Sequence, residues 1–372
     1  MADRTVFPMR ILHTSDWHIG RTFHGADLLD DQRASLRHLA DVVAAESVDV
    51  VVVAGDVFDR SVPSADAVRV YDDGLAAIAS AGAAIVVTSG NHDSPTRLGV
   101  GSGFAAAGGL HLRTSVASIN DPIVFSDEHG DVAIYGIPYL EPEVTRTELG
   151  VEDARGHSDV LTASMERIRA DLAARDARSV VVAHAFVVGG LATGSERSIS
   201  VGGVETVAAE VFSGVDYVAL GHLHSPQELT PTVRYSGSPI PYSFGENTHH
   251  KAVWLVDLGA VDERVVVAEL DLVTGHADDA LDVVLVVGDV GAGLVGLGRH
   301  LRRARRHTLL ARRRPLVCRV MEIDIEFTLV RRRCIHANLA LDACAGLNFD
   351  GCLEQKDGLL PVRGLAKRRR RK

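Results

Sequence analysis

Residues 49–56, DVVVVAGD, set four valines and an alanine directly before a glycine and an aspartate. The apolar run has the length and composition of a buried strand, and the Gly-Asp pair falls where that strand ends. Upstream, residues 30–47 carry Leu36, Leu39, Val42 and Val43 on one side at helical spacing, and Met9 to Thr14 reads as another buried strand. Downstream, Ser64 can cap a helix running to Ala81, and Ala84 to Thr88 is the next strand. The alternation continues with strands at Val132 to Ile137, Ser179 to Ala183 and Tyr217 to Leu220, and a helix over Val160 to Arg175. Helices covering a sheet produce this rhythm. The later runs Val233 to Tyr235, Ala252 to Asp257 and Val265 to Leu270 are shorter and separated by turn-rich stretches, which predicts a second, more antiparallel sheet. The expected fold is therefore α/β, with two packed mixed β-sheets flanked by helices.

Five short motifs sit at or just past these strand ends, where α/β folds gather ligand-binding groups. They are Asp16-Trp17-His18, Gly55-Asp56, Gly90-Asn91-His92-Asp93, Ala183-His184 and Gly221-His222-Leu223-His224. Their donors, Asp16, His18, Asp56, Asn91, His184, His222 and His224, form a mixed nitrogen and oxygen set suited to manganese, iron or zinc. Seven ligands are too many for one ion. If one carboxylate bridges, each of two ions receives four contacts, and Asp56, central in the series, is the bridging candidate. Two such ions roughly 3.5 to 4 Å apart are the standard device for in-line attack on phosphorus, since they also lower the pKa of a shared water. Gly55 and Gly90 would let the backbone turn sharply and approach the ions. A lone D-x-H or GD is commonplace; the ordered series is what carries the reading. The other twelve of the 17 histidines, among them His13, His24, His38, His249 and His250, read as structural or solvent-facing, with His24 a candidate substrate contact. Trp17 reads as packing that fixes its loop, with stacking on a base as the alternative.

The chain has 372 residues, 46% hydrophobic and 24% charged, which excludes overall disorder. No secretory signal or membrane-spanning run is evident, predicting a cytoplasmic protein with no membrane association. All four cysteines (Cys318, Cys334, Cys344, Cys352) fall in the last fifth without a CxxC pair, so neither a disulfide framework nor a zinc site is expected. Charge divides the chain sharply: residues 283–372 hold 20 Lys and Arg against 8 Asp and Glu, while residues 1–282 hold 19 against 41. An acidic body attracts nucleic-acid phosphates poorly unless bound cations, a local basic strip or a partner intervene.

The five motifs in this order resemble the calcineurin-like metallophosphoesterase superfamily, whose pattern is D-x-H, GD, GNH[DE], a strand-end His and GHxH. The resemblance implies a four-layer sandwich. It further implies that Asp16, His18, Asp56 and His224 hold one metal and that Asp56, Asn91, His184 and His222 hold the other. His92 would face the scissile phosphate as a catalytic residue, with Asp93 orienting it. The flanking stretches RILHTSDWHIGR (10–21), GDVFDRSVPS (55–64), TSGNHDSP (88–95), IYGIPYLEP (134–142) and YSGSPIPYSFGE (235–246) resemble the SbcD family of bacterial nuclease subunits, from about residue 9 to 258. That likeness implies a Mn2+-dependent double-strand exonuclease and single-strand or hairpin endonuclease, acting in DNA recombination, replication and repair. Its partners would be DNA and an SbcC-type ATPase, with a homodimer inside a heterotetramer. Asp59 stands where archaeal and eukaryotic relatives carry a histidine, which fits the bacterial branch. A small-molecule or cyclic-nucleotide phosphodiesterase and a non-catalytic partner scaffold are the alternatives. Residues 1–270 are expected to form the nuclease domain. Residues 271–372 form an atypical basic region that does not match the family's capping domain, and a frameshifted reading of a GC-rich gene explains its texture better than a genuine basic tail. On that reading, another frame past codon 270 encodes a cap-like continuation.

Overall fold

A computed structural model describes residues 8–187, 189, 191, 196, 207–246, 249–259, 265–272 and 283–284. The chain divides into two units, Met1–Met321 and Glu322–Lys372, and all described residues lie in the first. The four cysteines, the arginine clusters and the KRRRRK end lie outside the described residues, as does nearly all of the region from 271 onward.

Two sheets carry the fold. The first runs in the order Val283–Val284, Val266–Asp271, Ala252–Leu258, Met9–Thr14, Val50–Ala54, Ala84–Thr88, Leu110–Arg113. The second runs Gln227–Thr230, Val233–Tyr235, Tyr217–Gly221, Ala177–His184, Gly130–Gly136, Ile123–Asp127. The valine run of residues 50–53 shows why they pack in layers. Side chains alternate across a strand, so Val51 and Val53 join Leu36, Leu39, Val43, Val70 and Ile78 beneath the helices Leu29–Glu46 and Ala65–Ser80. Val50 and Val52 instead face Ile134, Val180, Val182 and Ala219 of the second sheet. Beyond that sheet, the helix His157–Leu172 sets Val160, Met165 and Ile168 against Tyr135, Val181 and Val218. The result is helix, sheet, sheet, helix. Ser64 caps the second helix as its position predicts, its hydroxyl accepting from the Ala67 amide at 3.1 Å.

One polar side chain ties the two sheets together. Buried His13 meets the Tyr217 hydroxyl through Nδ1 and the Leu220 carbonyl through Nε2, both at 3.0 Å. Burial pushes its pKa down to about 3, so the ring is neutral and both nitrogens are satisfied in the core. His13 is structural, as expected.

The strands differ from the sequence reading in their partners. The second sheet is mostly parallel through Gly130–Gly136, Ala177–His184, Tyr217–Gly221 and Val233–Tyr235, with antiparallel strands at its margins. Ala252–Leu258 and Val266–Asp271 do not extend it. They return to the first sheet, where Ala252–Leu258 pairs antiparallel with Met9–Thr14. Periodicity reports which side chains face inward, whereas the choice of neighbour depends on contacts more than 240 residues apart, such as Met9 with Leu258. No helix among the described residues is long and apolar enough to cross a membrane.

Candidate metal centre

Met9–Thr14, Val50–Ala54 and Ala84–Thr88 run parallel and therefore end on the same side, and His184 and Gly221 lie in register at the ends of two parallel strands of the second sheet. Just past these ends the chain bends through unusual conformations. Six non-glycine described residues have positive φ, and four are motif donors: Asp16 (54°), His18 (42°), Asp56 (51°) and His222 (111°). That region is sterically costly for L-residues, and it persists where surrounding contacts over-determine it. Here they do: the Asp16 amide donates to the Gly55 carbonyl at 3.1 Å, the His18 amide to the Asp56 carbonyl at 2.9 Å, and the His222 amide to the Asp16 carboxylate at 3.0 Å. Glycine is required at two closest approaches. A Cβ on Gly90 would lie 2.1 Å from Asp56 Oδ1, and one on Gly221 would lie 1.8 Å from the Ala54 carbonyl.

The side chains converge. Ligand atoms of Asp16, His18 and His224 lie within 4.8 Å of one another, as do those of Asp16, Asp56 and His184, and those of His18, Asp59 and His92. His18 Nε2 is 3.0 Å from His224 Nε2, and His184 Nε2 is 3.0 Å from Asn91 Oδ1. The second nitrogen of His184 meets the Ala54 carbonyl at 2.9 Å, which fixes the ring and aims Nε2 inward. Asp56 lies between the groups, with Oδ2 3.6 Å from His18 Nε2 and 3.5 Å from His184 Nε2. The His222 ring packs edge-on against that of His184, centroids 5.3 Å apart. All seven donors expected from the sequence are thus found around one centre.

The electrostatics fit divalent cations. Burial lowers the pKa of His18, His184 and His222, the last to about 3, so at pH 7 each presents a neutral ring with a lone pair. Burial, reinforced by the Asp56 charge, raises Asp16 well above the carboxylate range. Two buried acids so close together cannot both ionise cheaply without positive charge between them. Divalent ions would supply that charge, and His18 Nε2 is the nitrogen turned toward His224 and Asp56.

One expected role falls differently. The Asp93 carboxylate accepts from the amides of Val57 (3.0 Å), Phe58 (2.9 Å) and Gly90 (2.9 Å), clamping the GD and GNHD loops together. The ring of His92 is instead oriented by Asp59, whose backbone carbonyl meets Nδ1 at 2.8 Å. Burial and the Asp56 charge push Asp93 up to about 7. Trp17 is 1% exposed with Nε1 donating to Thr14 Oγ1 at 3.0 Å, so it packs the loop and cannot stack on a base.

Sequence reasoning missed the supports around His224 and His18. Buried Glu246 lies 3.7 Å from His224 Nδ1 and 2.5 Å from Lys251 Nζ, and Lys251 donates to the His224 carbonyl at 2.7 Å. Tyr242 packs its ring against both histidines and donates to the Trp17 carbonyl. Gln32 donates to the His18 carbonyl at 2.7 Å. None of these lies in a donor motif. The sequence signal was that Tyr242 and Glu246 fall inside the family-like stretch YSGSPIPYSFGE (235–246), which gives them no stated role.

Four layers, parallel strand ends and a buried aspartate, asparagine and histidine centre define a metallophosphoesterase. The chain belongs to the calcineurin-like phosphoesterase family, whose family model matches residues 9–226. Over 260 residues it is 38% identical to the SbcD component of the SbcCD nuclease of Bacillus subtilis (strain 168), a match covering 67% of this chain. The matched region spans 66% of that relative's length. Among solved structures it is similar to a dimetal phosphatase from Danio rerio, with a TM-score of 0.46 and 15% identity, covering 72% of this chain and 97% of that one. It is also similar to TT1561 of Thermus thermophilus, with a TM-score of 0.43 and 13% identity, covering 71% and 99%.

Proposed function

We propose that the chain is a two-metal phosphodiester hydrolase that cleaves DNA, working in the cytoplasm with an SbcC-type ATPase in recombination, replication and repair. The observation that carries the chemistry is the convergence of Asp16, His18, Asp56, Asn91, His184, His222 and His224 from five strand ends onto one buried centre. DNA as substrate rests on the 38% identity to the Bacillus subtilis nuclease component. In this reading Asp16, His18, Asp56 and His224 hold one ion, and Asp56, Asn91, His184 and His222 the other. Two divalent ions, Mn2+ being the one proposed, would polarise a phosphoryl oxygen and lower the pKa of water.

The remaining steps belong to the chain. With Nδ1 of His92 engaged by the Asp59 carbonyl, Nε2 is the atom that faces the phosphate, 3.9 Å from Asp56 Oδ2. There, with Nδ1–H donating to the Asp59 carbonyl, the ring acts as an imidazolium: its Nε2–H hydrogen-bonds the phosphoryl group and passes that proton to the leaving oxygen, leaving a neutral ring. Asp93 holds the His92 and Asp56 loops at a fixed separation, and the buried side chains of Asp16, His18, Asp56 and His224 shield that side of the centre from bulk water.

A dimer is part of the proposal. Val62, Val68, Val100 and Phe104 are exposed by 63%, 44%, 74% and 92%, and Arg97 donates to the Ser61 carbonyl at 3.3 Å, drawing the 61–62 turn beside the 95–107 segment. An exposed apolar strip of this kind suits a self-complementary interface. Sedimentation of the chain purely as a monomer at micromolar concentration would count against it.

The function is tested with Mn2+, linear and hairpin DNA, and a chromogenic diester in parallel. Shortening of linear DNA and opening of the hairpin are expected. Hydrolysis of the diester with intact DNA would instead indicate a small-molecule phosphodiesterase, and absence of bound metal a scaffold.

A further inference from the structure

Arg21 to Asp27 and Ser243 to Glu246 bring an exposed aromatic group to the rim of the centre. Thr22–Phe23 and Ala26–Asp27 pair as a hairpin whose two connecting residues, His24 and Gly25, both have positive φ (49° and 86°). This is the mark of a tight type I′ turn. The turn holds His24 out beside Phe23, ring centroids 4.6 Å apart. Phe244 comes from the short 3-10 turn Phe244–Glu246 and lies 4.7 Å from Phe23 and 4.9 Å from His24, the latter at an interplanar angle of 33°. It is 69% exposed. Such exposure of a large ring is normally the end of a mobile side chain, but this turn is fixed on both flanks. Tyr242 is buried with its hydroxyl on the Trp17 carbonyl, and Glu246 is buried on Lys251. The three rings form a preorganised surface, not a fraying loop.

The platform is joined directly to the centre. Tyr242, two residues before Phe244, touches the rings of His18 and His224 at 5.3 and 5.7 Å. The Arg21 guanidinium, two residues before Phe23, lies 5.0 Å over the Tyr242 ring and 3.8 Å from Asp59, the residue that holds His92.

We propose that Phe23, His24 and Phe244 form a stacking platform for an unpaired nucleobase adjacent to the phosphate at the metal centre. The proposal rests on the DNA-cleaving reading and gives it a preference for single-stranded or frayed ends. Chemistry favours this occupant over a protein surface. The exposed group is aromatic in a chain only 5% aromatic, whereas the strip at Val62, Val68 and Val100 is aliphatic apart from Phe104. Every base presents a π-face to such rings, and stacking needs no positive charge. That matters here, because residues 1–282 carry 41 acidic against 19 basic side chains and attract phosphates weakly.

The test uses the full chain and a single-stranded oligonucleotide with 2-aminopurine at its end, paired with the same oligonucleotide made abasic there, in EDTA so that binding is read without cleavage. Wild type should bind the base-bearing strand about tenfold tighter than the abasic one, the scale of one stacked base. Phe244→Ala should bind both strands equally and weakly, and Phe244→Trp should restore the difference. With Mn2+, Phe244→Ala should raise KM on single-stranded DNA and leave kcat and metal content unchanged. A base-to-abasic difference that survives in Phe244→Ala overturns the platform, as does a variant whose affinity for the abasic strand falls as far as its affinity for the base-bearing one. A change in sedimentation of Phe244→Ala would also overturn it, reassigning the surface to a second copy. If wild type cleaves no DNA at all, the nuclease reading fails first, and the two failures are told apart.

Discussion

His92→Ala is expected to cut the rate of DNA cleavage at least about a hundredfold, the usual contribution of one acid or base group, while two metal ions remain bound. The separation follows from which atoms of His92 do what. Its backbone amide donates to Asp56 Oδ1 at 2.8 Å, and this contact survives truncation to alanine. Asn91, next to it, keeps Oδ1 against His184 Nε2 at 3.0 Å, and Asp93 keeps its three amides, so both loops stay where they are. What disappears is the ring, held by the Asp59 carbonyl, and with it the proposed proton donor to the leaving oxygen. A hundredfold loss corresponds to about 2.7 kcal/mol of transition-state stabilisation. Steady-state rates and elemental analysis on the same preparation decide it. Metal lost in proportion to activity would make His92 a ligand and remove the division of labour.

The residues that converge at the centre were legible in the sequence for a physical reason. Each sits where an apolar run stops, and the glycines beside them are demanded by backbone approaches as close as that of Gly90 to Asp56, so motif and geometry are the same fact. Strand positions were legible too, because a run such as residues 50–54 is buried on both faces and has no other stable use. Pairing was not. The return of Ala252–Leu258 to Met9–Thr14, and the hairpin of Ile123–Asp127 with Gly130–Gly136, depend on long-range or weakly patterned contacts. The supporting shell was hidden for a related reason. Asp59 acts on His92 through a backbone carbonyl, which every residue possesses, and Glu246 is recognisable only once His224 and Lys251 are known to surround it. Asp93 shows the converse hazard: adjacency to His92, the expected catalytic residue, suggested an orienting role, yet its carboxylate serves the backbone of two loops.

Asp56→Asn is expected to lose both ions and all measurable cleavage without unfolding the chain. Asparagine has the same shape, and the Asp56 carbonyl would still accept the His18 amide at 2.9 Å, so the loop keeps its path. The carboxylate is the group that matters. It lies against His18 of one donor set and His184 of the other, at 3.6 and 3.5 Å, and after burial it is the next cause of the raised Asp16 pKa. Neutralising it removes a formal charge shared by both ions and turns an amide NH2 toward the imidazoles. In chelator the effect should reverse: with one of two crowded buried acids gone, Asp16 ionises more readily, and the metal-free variant should melt no lower than metal-free wild type. Added Mn2+ should raise the melting temperature of wild type, because binding to the folded state alone stabilises it, and should leave the variant unmoved. Two ions retained by the variant would deny Asp56 a bridging place. A lower melting temperature in chelator would mean that its carboxylate supports the fold itself, and that the crowding of acids at the centre is relieved by the protein before any metal arrives.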